Sequence, residues 1–260
     1  MNPNKQSAFS TKIILSGQDN YIYLLASDDR QCAVIDPGTA GPVLATLEKQ
    51  NLKLTHILLT HHHADHTGGV ESLKTRTHCR VIGPDSQRIA GLDEAAQDNQ
   101  ILAVCGFSIR VLATPGHTRT GVCYVLESTA DRPAAVFTGD TLFIGGCGRL
   151  FEGSAPQMYQ SLQKLAALPD DTAVYPGHDY TLDNYRFAMT VEPDNVIVQK
   201  CLSELEEKGA LSAIPSTIGL EKQTNPFLRT QSRSIRNTLE MPDAPDWEVF
   251  AELRKRKDFF

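Results

Sequence analysis

Four histidines and an aspartate fall within six residues, His61-His62-His63-Ala64-Asp65-His66, directly after the apolar run Ile57-Leu58-Leu59. Imidazole nitrogen and carboxylate oxygen are the ligand atoms that a borderline divalent ion such as zinc accepts. The apolar run reads as a buried strand, so the histidines begin where that strand ends. Residues two apart in extended backbone point the same way, which lets His61 and His63 reach one ion while His62 points elsewhere. Asp65 and His66 come after the chain has turned and can reach a second ion a few ångströms off. Thr67-Gly68-Gly69 then opens a helix, with Thr67 as the candidate cap. A histidine tract alone is weak, because a tag or a low-complexity run has the same letters. This one is internal, contains an acid, and lies between a strand and a helix.

The same arrangement recurs three times downstream. An apolar strand runs into Gly or Pro-Gly and then into a histidine or aspartate at Pro115-Gly116-His117, at Gly139-Asp140 and at Pro176-Gly177-His178. Any one of these reads as structural. Together with the histidine cluster they read as strand ends of one sheet edge that bring ligands to a common place. Asp36-Pro37-Gly38 reads equally as a turn and as a carboxylate that orients a metal-bound histidine.

The elements that must position these residues are legible from pattern. Strands are predicted at 12–15, 21–26, 32–35, 54–59 and 80–82, then at 101–104 and 107–112 as a hairpin around Gly106, and at 122–126, 134–137 and 173–175. A helix is predicted over 42–50 and a short one to about residue 74; residues 84–99 are polar and ambiguous. His56 and the isolated His78 are given no ligand role. After about residue 180 the texture turns helical, at 182–191, 195–208, 228–239 and 247–257, with an irregular stretch at 214–225. The division expected is a metal-binding domain over residues 1–180 and a helical substrate-binding domain over 181–260.

Composition bounds the class. The 260 residues are 41% hydrophobic, enough for a sizeable core, and the net charge of −6 counts against a general nucleic-acid binder. Six cysteines without a C-x-x-C pair, several inside apolar runs, fit a reducing compartment. No export signal is read in the first eight residues and no run approaches a membrane span, so the expectation is a cytoplasmic protein with no membrane partner.

With those residues in view, the chain resembles the metallo-β-lactamase superfamily and, within it, the glyoxalase II (hydroxyacylglutathione hydrolase) family. The superfamily's T-H-x-H-x-D-H stands as Thr60 to His66. The stretch from Gly139-Asp140-Thr141 through Gly145-Gly146-Cys147-Gly148-Arg149 to Gly153 is similar to the glyoxalase II segment. Asn225-Pro226-Phe227-Leu228-Arg229, Arg254 and Lys257-Asp258 are similar to that family's helical domain.

The resemblance implies an α/β fold, a metallo-β-lactamase-like αββα sandwich with a C-terminal helical cap. It implies that His61, His63 and His117 hold one divalent metal, that Asp65, His66 and His178 hold another, and that Asp140 bridges them. Asp65 and Asp140 are thereby the catalytic carboxylates. The ions expected are zinc, with iron or manganese as the other candidates. The activity implied is hydrolysis of the S-D-lactoylglutathione thioester to D-lactate and glutathione by a hydroxide bridging the ions, the second step of methylglyoxal detoxification, in a monomer. Arg149, Tyr180, Arg254 and Lys257 are implied as substrate contacts, Arg and Lys being complements of the two glutathione carboxylates. The rivals are a glutathione-persulfide dioxygenase using one iron and another hydrolase of the same fold. Two departures stand out: Arg149 and Phe151 replace the Lys and Tyr of some members, and Gly116-His117-Thr118-Arg119-Thr120-Gly121 lacks the second histidine of G-H-T-x-G-H.

Overall fold

The computed structural model describes residues 10–130 and 132–260; the first eight residues, read above for an export signal, lie outside the described residues. The chain forms two compact units, Met1–Val111 and Leu112–Phe260.

In the first unit a six-stranded sheet takes its strands in chain order: β1 (Ser10–Ser16), β2 (Asn20–Ala26), β3 (Gln31–Ile35), β4 (Lys53–Leu58), β5 (Arg80–Gly83) and β6 (Glu94–Ala95). The first three are antiparallel and joined by tight turns. From β3 onward the pairing is parallel, so the connections must cross over. Helix α1 (Ala40–Gln50) makes the first crossover; α2 (Ala64–Thr67) and α3 (Val70–Thr77) make the second. Val43, Leu47, Val70 and Leu73 of these helices are buried in one core with Ile22, Leu24, Val34 and Ile57 of the sheet. The parallel register sets Ile35 opposite Leu58, so the residues that follow each strand emerge side by side. That is why Asp36 and Thr60 meet although they are far apart in sequence. A hairpin, β7 (Ile101–Val104) and β8 (Phe107–Ala113), completes this part of the chain, turning at Cys105 and Gly106, both at positive φ.

In the second unit β9 (Val122–Leu126), β10 (Ala135–Gly139), β13 (Ala173–Pro176) and β14 (Ser216–Thr217) are arranged 14-13-10-9, beside a small ribbon of β11 (Leu142–Phe143) and β12 (Gly146–Cys147). β10 and β13 are parallel, with Gly139 paired to Pro176, so Asp140 and His178 also leave neighbouring strand ends together. Helix α4 (Ala155–Ala166) packs Met158, Leu162 and Leu165, all fully buried, into a core shared with Val136, Val174, Phe187, Phe227 and Phe250.

The C-terminal region is helical: α5 (Thr181–Val191), α6 (Val196–Lys208), α7 (Ile218–Thr224), α8 (Arg233–Leu239) and α9 (Asp246–Asp258). α6 starts where Asn195 accepts from the N–H groups of Ile197 and Val198. The stretch expected to be irregular, 214–225, instead holds β14 and α7. Thr217 caps that helix through the N–H of Leu220. The helix expected over 228–239 begins only at Arg233, because Asn225 and Pro226 set up a separate 3-10 turn over Pro226–Leu228. Among the described residues no helix is long and apolar enough to cross a membrane.

Candidate metal centre and adjoining cavity

The histidine loop is wired to Asp36. This aspartate is 4% exposed, sits at φ +51°, and accepts from the backbone N–H of Thr60 at 2.8 Å and from the Thr60 hydroxyl at 2.6 Å. Its Oδ2 also lies 2.9 Å from Nδ1 of His66. Because the Thr60 hydroxyl gives its proton to Asp36, it accepts from Nδ1 of His61, 3.0 Å away. His61 and His66 are therefore both protonated at Nδ1, and each presents the Nε2 lone pair. His61 Nε2 lies 3.1 Å from Nδ1 of His63, and His66 Nε2 lies 3.5 Å from Oδ2 of Asp65. His62 is turned to a different partner, with Nε2 3.2 Å from an Arg88 guanidinium nitrogen. The expected alternation, His61 and His63 together and His62 apart, holds. Asp36 acts as the orienting carboxylate; its positive φ shows that it is also the turn residue. The loop is tight: a Cβ on Gly38 would lie 1.9 Å from the carbonyl oxygen of Asp65.

In the second unit Asp140 stands between two imidazoles. His117 Nε2 is 3.3 Å from Oδ2 and His178 Nε2 is 3.5 Å from Oδ1. His117 Nδ1 donates to the carbonyl of Arg149 at 2.9 Å, which again leaves Nε2 as the lone-pair atom facing a carboxylate oxygen. His178 is stacked on Tyr180, centroids 5.0 Å apart, with the edge of Phe143 against both rings. All three ligand candidates are buried.

Lone pairs and anionic oxygens aimed at each other at 3.3–3.5 Å repel unless a cation lies among them. Both donor sets are N/O sets, and hydrogen bonds fix the tautomers of His61, His66 and His117, as metal-bound histidines require. The sets fit divalent metal, and within the first unit Asp36, His61 and His66 bring ligand atoms within 4.8 Å of one another.

A cavity of about 360 Å³ adjoins Asp140 and His117 and is also lined by Arg149, Tyr180, Arg254 and Lys257. The four differ in exposure. Arg149 is exposed, its Nε 3.7 Å from Asp258. Arg254 is 4% exposed; Nη1 donates to the Cys147 carbonyl at 2.7 Å, Nη2 approaches Asp258 at 3.2 Å, and the guanidinium lies over the Phe227 ring. Lys257 lies over the rings of Phe187 and Phe260 and donates to the Asp183 carbonyl at 3.1 Å. Burial pulls its pKa below the usual lysine range, against the opposing pull of Asp183.

Family models match the chain along almost its whole length: the metallo-beta-lactamase superfamily over residues 16–178 and the hydroxyacylglutathione hydrolase C-terminus over residues 179–260. The hydroxyacylglutathione hydrolase of Chromohalobacter salexigens is 48% identical over 248 residues, covering 94% of this chain and 96% of that one. That of Methylococcus capsulatus is 46% identical, covering 94% and 95%. Among solved structures, ETHE1 from Myxococcus xanthus superposes with a TM-score of 0.65 at 30% identity, covering 96% of this chain and 97% of its own. TTHA1623, crystallised in a di-iron-bound form, superposes with a TM-score of 0.59 at 26% identity, covering 83% and 98%.

The chain belongs to the hydroxyacylglutathione hydrolase family.

Its fold is that of the metallo-β-lactamase superfamily, an α/β fold with mixed sheets and a C-terminal helical region, and it is a divalent-metal protein by its donor sets. Against the family pattern, the exposed ring of Phe151 lies 5.1 Å from His117, where a tyrosine would add a hydroxyl. Sequence reasoning missed several cavity walls: Phe143, Cys147, Asn184, Asp183 and Phe260. The Gly145-Gly146-Cys147-Gly148 run was the available signal for Cys147. A Cβ at Gly148 would meet the Asp140 carbonyl at 1.9 Å and His117 Nδ1 at 3.1 Å, so the glycine is required for backbone to pass behind the ligands.

Proposed function

We propose that this hydroxyacylglutathione hydrolase family member cleaves the thioester of S-D-lactoylglutathione. Water adds to the carbonyl carbon, the C–S bond breaks, and D-lactate and glutathione leave. One observation carries the reading: a single cavity combines the His117–Asp140 pair with three cationic side chains and Tyr180. A glutathione thioester has two carboxylates for the cations and a carbonyl for the metal edge.

The ligand assignment belongs to the proposal: His61, His63 and His117 for one ion, Asp65, His66 and His178 for the other, and Asp140 shared. Zinc is the expected metal, with iron or manganese as alternatives. When bound, the ions supply the positive charge that acidifies water and draws electron density from the carbonyl. The chain does the rest. Asp36 and the Arg149 carbonyl hold His66 and His117 in the ligating tautomer. Arg149, Arg254 and Lys257 complement the carboxylates of the glutathione part, while Phe143 and Tyr180 form an apolar wall beside the reacting carbonyl. The thiolate, of pKa about 8.5, leaves without a proton donor. The functional division we propose is a metal-binding domain over residues 1–180, which also supplies Arg149, Phe143 and Tyr180, and a helical substrate-binding domain over 181–260.

The deciding experiment is turnover of S-D-lactoylglutathione by purified protein alongside metal analysis. Thioester loss with two divalent ions per chain is expected. One iron per chain with oxygen uptake on glutathione persulfide, and no thioester loss, would sink the reading in favour of a dioxygenase.

A further inference from the structure

Glu221 is a fully buried carboxylate that the chemistry above does not use. It lies on α7, in the stretch that sequence pattern left irregular. Its Oε2 accepts from the backbone N–H of Gly145 and from Nδ2 of Asn225, each at 2.9 Å, and its Oε1 accepts from the Ser216 hydroxyl at 2.5 Å. Burial raises its pKa, and these three donors oppose that rise. The cost of keeping an ionisable group so far from water is offset by the hydrogen bonds of its partners.

The partners form one segment. Asn225 Nδ2 also lies 2.9 Å from the Gly146 carbonyl and 3.2 Å from that of Phe143, and Asn184 Nδ2 donates to the Ile144 carbonyl at 3.0 Å. Among the described residues the two-residue strands of the ribbon β11–β12 pair with no further strand, so the groups of its turn need other partners. Three side chains from the helical region replace that strand. The carbonyl that follows, on Cys147, is the one that holds the buried Arg254 guanidinium in the cavity wall.

We propose that Glu221 is a positioning residue of the hydrolytic site: through Gly145 and Asn225 it fixes the Phe143–Cys147 segment, and through that segment it fixes Arg254 against the substrate cavity. The role assigned to Arg254 rests on the function proposed above; the positioning itself does not. Glutamine can substitute. Its carbonyl takes the place of Oε2 towards Gly145 and Asn225, and its amide donates to Ser216, whose hydroxyl both donates and accepts. Alanine cannot, and leaves the Gly145 N–H and the Ser216 hydroxyl without the carboxylate.

The test uses metal-loaded full-length protein carrying Glu221→Ala, Glu221→Gln or Ser216→Ala, read by steady-state kinetics and by amide hydrogen exchange over residues 143–149. Glu221→Ala should raise KM for S-D-lactoylglutathione about tenfold with kcat changed less than about threefold, and should speed exchange in the segment. Glu221→Gln should return both to within about twofold of wild type. A purely architectural glutamate would lower Tm in Glu221→Ala yet leave KM and segment exchange at wild-type values, and that result overturns the proposal. Should Glu221→Ala fail to fold, Ser216→Ala decides: faster segment exchange with KM up about threefold supports it, and no change in either overturns it. A wild-type protein that does not hydrolyse the thioester defeats the function proposed above, while the exchange data still settle the positioning role.

Discussion

The two halves of the proposed ligand set are built on different principles. In the histidine loop the four proposed ligands His61, His63, Asp65 and His66 come from six consecutive residues, and other side chains orient them: Asp36 and the Thr60 hydroxyl set the tautomers of His61 and His66. In the second unit His117, Asp140 and His178 come from three separate strand ends, and backbone and rings orient them: the Arg149 carbonyl for His117, and Tyr180 and Phe143 for His178. A locally encoded cluster can be retuned by single substitutions in its second layer. A dispersed one depends on the fold itself, and tolerates changes to the side chain whose carbonyl it uses.

The strongest way to break this contrast is Asp140→Ala. It removes the carboxylate between two imidazoles, and a loss of about 10³-fold in kcat/KM with loss of bound metal is expected, read by turnover and elemental analysis. Full metal content with wild-type-like turnover would remove Asp140 from the site. Next comes the ion pair that ties the C-terminal helices together. Glu192, 4% exposed, takes Arg229 in a two-bond fork at 2.7 Å and 2.7 Å, and also accepts from Ser232 and Asn195. Burial alone would raise its pKa, but these hydrogen bonds outweigh it and hold the carboxyl below the usual glutamate range. A depressed acid stabilises the fold fully above its unfolded pKa and loses that contribution as pH falls through the folded value. Acidification below about pH 4.3 should therefore lower the melting temperature, and Glu192→Gln should flatten that slope. Arg229→Met, which strands the buried carboxylate, should cost about 3 kcal/mol in denaturant titration.

Asp36→Ala probes the side-chain-wired half directly. The expected loss is about 10–100-fold in metal affinity or activity, because the ligands remain but their tautomers are no longer fixed. The smallest effect sharpens the comparison most: Arg149→Ala keeps the carbonyl that holds His117, so kcat should stay within about twofold while KM rises a few-fold, by about 1 kcal/mol of binding. A large fall in kcat with normal metal content would mean that the side chain, not the backbone, orients His117.

Most of the first unit was legible because its signals are local. Alternating and continuous apolar runs marked β2, β3 and β4, and the run of ligand types followed directly. The strand-end rule singled out His117, Asp140 and His178, which the structure brings together, since a Gly or Pro-Gly before a polar residue marks where a strand stops. What stayed hidden has physical reasons. Helix α4 was not predicted, although Gln157 reaches back to the Ser154 N–H and Met158, Leu162 and Leu165 recur at helical spacing; the polar Gln160, Ser161, Gln163 and Lys164 between them dilute that stripe. Helix α7 is seven residues long and carries a buried glutamate on its inner side, so no apolar stripe announces it. Arg254 and Lys257 sit in a run of four cations that, by pattern, is a solvated helix end; only the fold shows Arg254 buried and Lys257 lying over aromatic rings.

Cys147 lines the same cavity, and its thiol is fully buried and pushed up to about 11, burial outweighing the nearby Arg254. The raised pKa disfavours, at neutral pH, the thiolate that attacks disulfides. Under the activity proposed above, which would release a free thiol at every turnover, a sulfur held as the protonated thiol resists forming a mixed disulfide that would block the chamber.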